Sequence, residues 1–355
     1  MTSTARTRVL YRQSQLPIFQ NRMYDSESEA VNCPRGDVEL VEDLQSGLVR
    51  NAVFRPELMV YDAHYQNEQA VSGLFQAHLG EVSDLIQATM GRDDLVEVGC
   101  GKGYFLELLL AQGVDIVGFD PTYEGDNPRV RREYFGPELG LRGKGLILRH
   151  VLEHIADPVA FLQQLKAAND DQGLIYIEVP CFDWICDNRA WQDVFYEHVN
   201  YFRLSDFQRM FGKVLHAERV FGGQYLAVVA DLATLRVPEF DPADQVDFPA
   251  DFAATVPRTR AGEHIAVWGG ASKGVIFSLL CARAGHPVNT VIDINPAKQG
   301  KYLPATGICV QSPQQAMADL PAGALIHVMN PNYLAEIRRM TSDKYTYIGI
   351  NHDGI

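Results

Sequence analysis

Between about residues 81 and 235, short continuous apolar runs alternate with amphipathic stretches, and the alternation predicts strands and helices in turn. Leu95-Val96-Glu97-Val98, Val114-Asp115-Ile116-Val117-Gly118-Phe119, Gly145-Leu146-Ile147-Leu148 and Leu174-Ile175-Tyr176-Ile177-Glu178-Val179-Pro180 read as strands. Residues 105–110 read as an amphipathic helix, and a longer helix over about 72–86 leads into the series. This order predicts a parallel, doubly wound α/β sheet. The pattern resumes further on, with a strand over 263–268, a helix over 275–284 and a strand over 288–293. Residues 240–257, rich in Asp, Pro and Ala, read as a linker between the two α/β units. The first 80 residues read as a small irregular module with short strand-like pieces at 38–41 and 47–50. The expected domains are therefore 1–80, 81–240 and 258–355.

Each α/β unit carries a glycine-rich turn where its first strand meets a helix. In the first, Glu97 is followed by Gly99, Gly101 and Gly103. An open α/β sheet presents small cofactors at the carboxyl end of such a strand, and glycine lets the backbone approach the ligand and take positive φ. A pyrophosphate favours G-x-G-x-x-G. Here the glycines read E-x-G-x-G-x-G, and a carboxylate before the turn suits a cation better than a phosphate. Asp120 ends the next strand about twenty residues on, where an acid accepts from ribose hydroxyls. It supports an adenosine ligand without choosing the cofactor. In the second unit, Gly269-Gly270-Ala271-Ser272-Lys273-Gly274 precedes a strand ending in Asp293. On spacing alone this turn is either a second nucleotide site or a plain strand-turn-helix junction.

Composition narrows the partners. A net charge of −14 argues against general affinity for nucleic acid or anionic membranes. No apolar run approaches the roughly twenty residues of a membrane span. The first residues lack the charged-then-apolar plan of a secretion signal. Cysteines 33, 100, 181, 186, 281 and 309 are scattered without a C-x-x-C pair, which points to reduced thiols in a cytoplasmic protein. Oligomeric state is left open.

The run Glu97 to Gly103 resembles motif I of the class I S-adenosylmethionine (SAM) methyltransferases, whose ligand carries an ammonium and a sulfonium. Arg149-His150-Val151-Leu152-Glu153-His154-Ile155-Ala156-Asp157-Pro158 resembles their post-strand segment. Further on come the Gly269 to Gly274 turn, Asp293-Ile294-Asn295-Pro296-Ala297-Lys298-Gln299-Gly300-Lys301-Tyr302, Leu303-Pro304-Ala305-Thr306-Gly307-Ile308 and Asn330-Pro331-Asn332-Tyr333-Leu334-Ala335-Glu336-Ile337. In that order they resemble the C-terminal domain of the deoxysugar C-methyltransferases, which methylate a carbon of nucleotide-linked 4-keto sugars. The resemblance implies a SAM-binding Rossmann-like domain and a second Rossmann-like domain that helps enclose the nucleotide-sugar. It also implies an N-terminal zinc module held by two Cys-x-x-Cys pairs. Tyr11-Arg12-Gln13-Ser14 and Asp43-Leu44-Gln45-Ser46 stand where those pairs belong, and neither holds a cysteine. Cys33 alone cannot build a tetrahedral site, so no zinc is expected.

Between the units lies Asp193-Val194-Phe195-Tyr196-Glu197-His198-Val199-Asn200-Tyr201-Phe202. The family's motif is Tyr-His-Glu-His followed by Tyr-Phe, with the second His as base. Glu197, His198, Tyr201 and Phe202 match; Phe195 and Tyr196 replace the Tyr and first His. A carbon beside a ketone becomes nucleophilic once deprotonated, and histidine suits that task near neutral pH. His198 is the expected base, Tyr196 or Tyr201 the donor to the enolate oxygen, and Glu197 the residue that orients the imidazole or binds a sugar hydroxyl. SAM is expected on Glu97, Gly99, Gly101, Gly103, Asp120, Tyr65 and His150, with Gln69 nearby. Lys273, Tyr225 and Asn295 are expected to meet the substrate, Lys273 as a diphosphate contact at a helix N-terminus. The spacing of His150, Glu153 and His154 invites a metal, but packing under the cofactor loop accounts for them, and none is expected. Tyr134 and Phe135 read equally as an adenine contact or as core. The expected reaction is C-methylation of a nucleotide-linked sugar ketone; O- or N-methylation of another small metabolite, an NAD-dependent oxidoreductase and a non-catalytic nucleotide-binding protein stand as alternatives.

Overall fold

Three sheets organise the chain in the computed structural model, which describes residues 6–59, 72–252, 264–321 and 323–349. The central sheet has seven strands, ordered Val214–Val220, Tyr225–Asp231, Leu174–Pro180, Gly145–Arg149, Leu95–Val98, Ile116–Phe119 and Val130–Arg131. The strands from Leu174–Pro180 onward in that order run parallel. Tyr225–Asp231 is antiparallel to both of its neighbours. After Leu95–Val98 the chain builds outward on one side and then returns to add Gly145–Arg149 on the other. The strand order therefore reverses at the carboxyl end of Leu95–Val98, the place where open α/β sheets bind ligands.

The lead-in helix Gly73–Met90 begins at Ser72, whose hydroxyl accepts from the Leu74 amide, and stops at Gly91 with φ of 84°. Phe75, Leu79, Val82, Ile86 and Met90 recur on one face and pack with Leu95, Ile116 and Ile147 of the sheet. The helix runs through residue 80, so this part of the expected N-terminal module is built into the central α/β unit.

The C-terminal sheet has five parallel strands in the order Val310–Gln311, Thr290–Ile292, Ile265–Trp268, Leu325–Val328 and Thr346–Gly349. It reverses at its own first strand, as a second Rossmann-like unit should. Helix Lys273–Arg283 is buried over every position from Gly274 to Cys281. Its entry is tight: a Cβ on Gly274 would lie 1.8 Å from the Gly269 carbonyl oxygen, so only glycine fits there.

The first 51 residues are more regular than their sequence suggested. Thr7–Pro17, Arg35–Asp43 and Val49–Asn51 form an antiparallel sheet whose fourth strand, Asn200–Tyr201, arrives from beyond the central sheet. Register shifts between Val9 and Tyr11 and between Gln13 and Leu16 break the alternation that would have announced the long first strand. Where the family's zinc cysteines belong, Arg12 pairs with Glu39 at 2.6 Å, and Asp43 accepts from the Gln45 amide at 2.8 Å. Tyr11 packs edge-on against Phe252 at 5.1 Å, and burial pushes its hydroxyl up to about 12. The described part of the expected linker is a packed strap: the Val246 amide donates to Glu42 at 2.9 Å, and the Asp244 carbonyl accepts from Arg203 at 2.8 Å.

All six cysteines are unpaired, and only Cys309 is exposed. No helix among the described residues is long and apolar enough to cross a membrane. If strand pairing, ion pairs and the aromatic cluster hold this module without metal, prolonged EDTA treatment should leave the melting temperature unchanged. A drop of more than a few degrees, reversed by Zn²⁺, would show that the module depends on metal.

Candidate active site

The first glycine turn forms a cradle at the switch point. Gly99, Gly101 and Gly103 have φ of 74°, 55° and 78°, all in the left-handed region. A Cβ on Gly99 would lie 2.5 Å from Val151, whereas one on Gly101 would meet nothing within 4 Å. The turn is held from the next strand: Asp120 Oδ2 accepts from the Gly101 amide at 2.8 Å, and Oδ1 accepts from the Thr122 amide at 2.8 Å. Oδ1 also accepts from the Thr122 hydroxyl at 2.7 Å, so it is Oδ2 that keeps a lone pair for a ligand hydroxyl. Glu97 is 3% exposed, and its Oε2 has no hydrogen-bond partner among the described residues. Burial pushes Glu97 up to about 7; the Arg149 charge pulls it down and Asp120 pushes it further up. An open, glycine-walled cradle with two inward carboxylates fits a cationic adenosine ligand. Tyr65 and Gln69 lie outside the described residues.

Beneath the cradle runs a buried ion network that the sequence reading missed. Glu178, fully buried in the apolar strand Leu174–Pro180, faces Arg149 at 3.1 Å, His150 at 3.0 Å and His78 at 3.1 Å, and accepts from the Tyr176 hydroxyl at 2.7 Å. Burial raises its carboxyl, but the Arg149 charge and the two histidines hold it well below the usual range. His150 sits at φ of 51°, a strained conformation for a side-chain-bearing residue. Burial works against its charge, but hydrogen bonds to Glu153 and Glu178 bring it up to about 9. A lone acid in an apolar strand is a legible signal, and Glu178 carried it.

The carboxyl ends of the central and C-terminal sheets face one another across a cavity of about 240 Å³. His150, His198, Tyr225 and Asp193 line one side; Lys273 and Asn295 line the other. The segment bearing His198 is laced to the segment after Gly145–Arg149. The Val199 amide donates to the Glu153 carbonyl at 2.8 Å, and His154 Nδ1 lies 2.9 Å from the Glu197 carbonyl. The His198 ring packs against Phe195 at 4.2 Å and edge-on to His154 at 4.9 Å. Burial, then the charges of His154, His150 and Lys273, hold His198 well below its ordinary value. Its imidazole is therefore neutral at pH 7.

Three of the four expected catalytic residues do other work. Glu197 is 1% exposed and turns away from the cavity: its Oε1 accepts from the Gln20 amide and, at 3.2 Å, from the Asn21 amide. Tyr196 is buried against Phe54 and Gly36, and its hydroxyl accepts from the Arg55 amide at 2.9 Å. The Tyr201 hydroxyl is taken up by the Phe195 backbone at 3.2 Å. Neither tyrosine lines the cavity; Tyr225 does. Lys273 reaches the cavity wall as a bridge, 3.0 Å from Asp193 and 2.9 Å from Gln224, with its ammonium over the Trp184 ring at 5.0 Å. Asn295 caps its own loop, its side chain accepting from the Ala297 amide at 3.0 Å. Phe135 is buried against Phe119, and Tyr134 is 77% exposed.

Fold and cradle together define a SAM-dependent methyltransferase of class I. Residues 65–214 match the methyltransferase-domain family, and residues 250–349 match the C-methyltransferase C-terminal domain. The C-methyltransferase NovU of Streptomyces niveus is 26% identical over 330 residues, covering 80% of this chain and 78% of NovU. Among solved structures, the 1,6-didemethyltoxoflavin N1-methyltransferase of Burkholderia thailandensis, with bound S-adenosylhomocysteine, is 18% identical with a TM-score of 0.34, covering 44% of this chain and 78% of that one. The N-methyltransferase NodS of Bradyrhizobium japonicum, also with S-adenosylhomocysteine, is 11% identical with a TM-score of 0.35, covering 50% and 95%. The chain is thus a SAM-dependent methyltransferase in which this domain is followed by a match to the C-methyltransferase C-terminal domain.

Two outcomes follow from the geometry. If the ionised Glu97 faces the cationic donor, SAM affinity should rise up to roughly ten-fold between pH 6 and pH 8, as a group near 7 loses its proton. Glu97→Gln should bind more weakly at pH 8 and lose that dependence in calorimetry. Glu197→Ala, which leaves two buried amides without an acceptor, should cost about 3 kcal/mol in denaturant unfolding; an unchanged midpoint would remove its structural role.

Proposed function

We propose that this chain deprotonates a carbon next to a ketone of a nucleotide-linked sugar and methylates that carbon, in polysaccharide or natural-product biosynthesis. One observation carries the reading: a neutral histidine, His198, lines a cavity shared by the carboxyl ends of both Rossmann-like sheets. One sheet ends in the donor cradle, and the other belongs to the C-methyltransferase C-terminal domain. NovU, the curated relative, is itself named a C-methyltransferase.

The division of labour follows from the side chains. Gly99, Gly101, Gly103 and Asp120 would hold SAM, with Glu97 behind them. When bound, SAM supplies an electrophilic methyl group on a sulfonium. The chain must then supply a nucleophilic carbon, held in line and kept from water. A neutral imidazole accepts the proton. The enolate oxygen needs a donor, and Tyr225 is placed for it in the cavity wall. Burial raises its hydroxyl well above the ordinary value, so the phenol keeps its proton. Lys273 and Asn295, on the facing wall, are the contacts offered to the diphosphate and sugar.

His198→Asn should cut methyl transfer by about 10²–10⁴-fold, the usual share of a general base, with SAM binding unchanged by calorimetry. Wild-type kcat should stay level down to pH 6.5 and fall only below it, because a base held below its ordinary value protonates late. Product NMR decides the acceptor atom: a methyl on oxygen or nitrogen would overturn the carbon assignment.

A further inference from the structure

Resting on His198 as the carbon base, we infer that Glu153 is the counter-charge of that base, its carboxylate pairing with the imidazolium that forms when His198 takes the proton. Glu153 thus holds the place that the motif suggested for Glu197.

The placement is built by the backbone. The bonds from Val199 to the Glu153 carbonyl and from His154 to the Glu197 carbonyl lay two segments side by side. They bring the donor atoms of Glu153, His154 and His198 within 4.8 Å of one another. Glu153 is 1% exposed yet forms part of the cavity wall. Its Oε1 faces His150 Nδ1 at 3.4 Å, while Oε2 has no hydrogen-bond partner among the described residues. A buried polar atom left without a partner costs about 1–3 kcal/mol, a cost that is relieved once a donor arrives. The ring N–H of His198 is such a donor: with that N–H toward Glu153 the other nitrogen is the one free to take the substrate proton, and the contact becomes charge-assisted when it does.

The other groups around His198 do not offer that charge. His154 and His150 stand beside it, and Lys273 approaches from the C-terminal helix. Phe195 and Tyr201 flank it from its own segment, and the Tyr201 hydroxyl is already bonded to the backbone. The Asp193 carboxylate is matched by Lys273 at 3.0 Å. Glu153 is the cavity carboxylate grouped within 4.8 Å with His154 and His198, while its Oε1 also faces His150.

The step balances simply. The C–H bond beside the ketone breaks, its electron pair stays on the substrate as an enolate, and the proton passes to His198. The Glu153 carboxylate stabilises the new positive charge. The enolate carbon then takes the methyl group, whose bond to sulfur breaks with the pair left on sulfur, and the imidazolium returns its proton to water. Glu153 is a positioning residue, acting through His198.

The test uses Glu153→Gln, Glu153→Asp and His198→Asn in the full chain, with folding and SAM binding checked for each. Labelled-histidine NMR, with His198 assigned by its loss in His198→Asn, follows its titration from pH 4.5 to 8. The wild-type ring should titrate below the ordinary histidine range, Glu153→Gln at least one pH unit lower still, and Glu153→Asp in between. A ring that titrates equally in wild type and Glu153→Gln, or stays neutral to pH 4.5 in wild type, overturns the inference. In parallel, deuterium exchange at the carbon beside the ketone is followed with dTDP- and GDP-linked 4-keto-6-deoxyhexoses and S-adenosylhomocysteine. Glu153→Gln should slow exchange ten- to a hundred-fold at nearly constant KM, with Glu153→Asp recovering a third or more. A raised KM with unchanged exchange would make Glu153 a substrate contact and overturn the inference. Persistent exchange in His198→Asn would instead overturn the base reading itself.

Discussion

A carboxylate buried to 1% exposure must be satisfied from within, and the satisfaction of Glu197 joins the three parts of this molecule. Its acceptor oxygen takes the amides of Gln20 and Asn21, at the end of the N-terminal sheet's first strand. Those two residues in turn engage the second glycine turn: the Ser272 amide donates to the Gln20 carbonyl at 3.2 Å, and the Ser272 hydroxyl to Asn21 at 3.0 Å. His198 is the next residue in the chain. Its position at the cavity therefore depends on the anion that precedes it. The Lys273 bridge to Asp193 and Gln224 closes the same junction from the C-terminal side.

The two α/β units use one local device for different ends. In each, the acid closing the second strand accepts from a glycine amide of the first turn: Asp120 from Gly101 at 2.8 Å, Asp293 from Gly270 at 2.9 Å. The first turn stays open beside Gly101. The second is occupied by the protein itself, with Ser272 drawn to φ of 40°. Of the two readings its spacing allowed, this turn serves as a junction whose Lys273 faces the cavity. The ligand cradle and the junction then face each other across one cleft.

Under that cleft lies a row of ionisable groups, from Glu97 and Arg149 through Glu178 and His150 to Glu153. Buried charges contribute little net stability, but removing one partner of such a set costs about 3–5 kcal/mol. Their value here is fixed geometry. His150, strained at φ of 51° and clamped by two carboxylates, holds the backbone that presents Glu153 and His154.

The parallel strands of both α/β sheets and the cradle were legible in the sequence. These rest on local rules: continuous apolar runs make buried strands, and glycine is required wherever positive φ or a missing Cβ is required, as at Gly99 and Gly274. It also placed His198, because a motif carries residue identity along the chain. What it could not settle was which way neighbouring side chains point. Tyr196, Glu197, His198 and Tyr201 are close in sequence, yet the first supports Arg55, the second caps Gln20 and Asn21, and the fourth braces Phe195. Their partners lie tens to nearly two hundred residues away or are backbone atoms, which no local pattern encodes. The tertiary structure alone decided that the fourth strand of the N-terminal sheet is Asn200–Tyr201. Pairing there leaves His198, just before it, in the cavity wall, and sets Glu153 rather than Glu197 beside its ring.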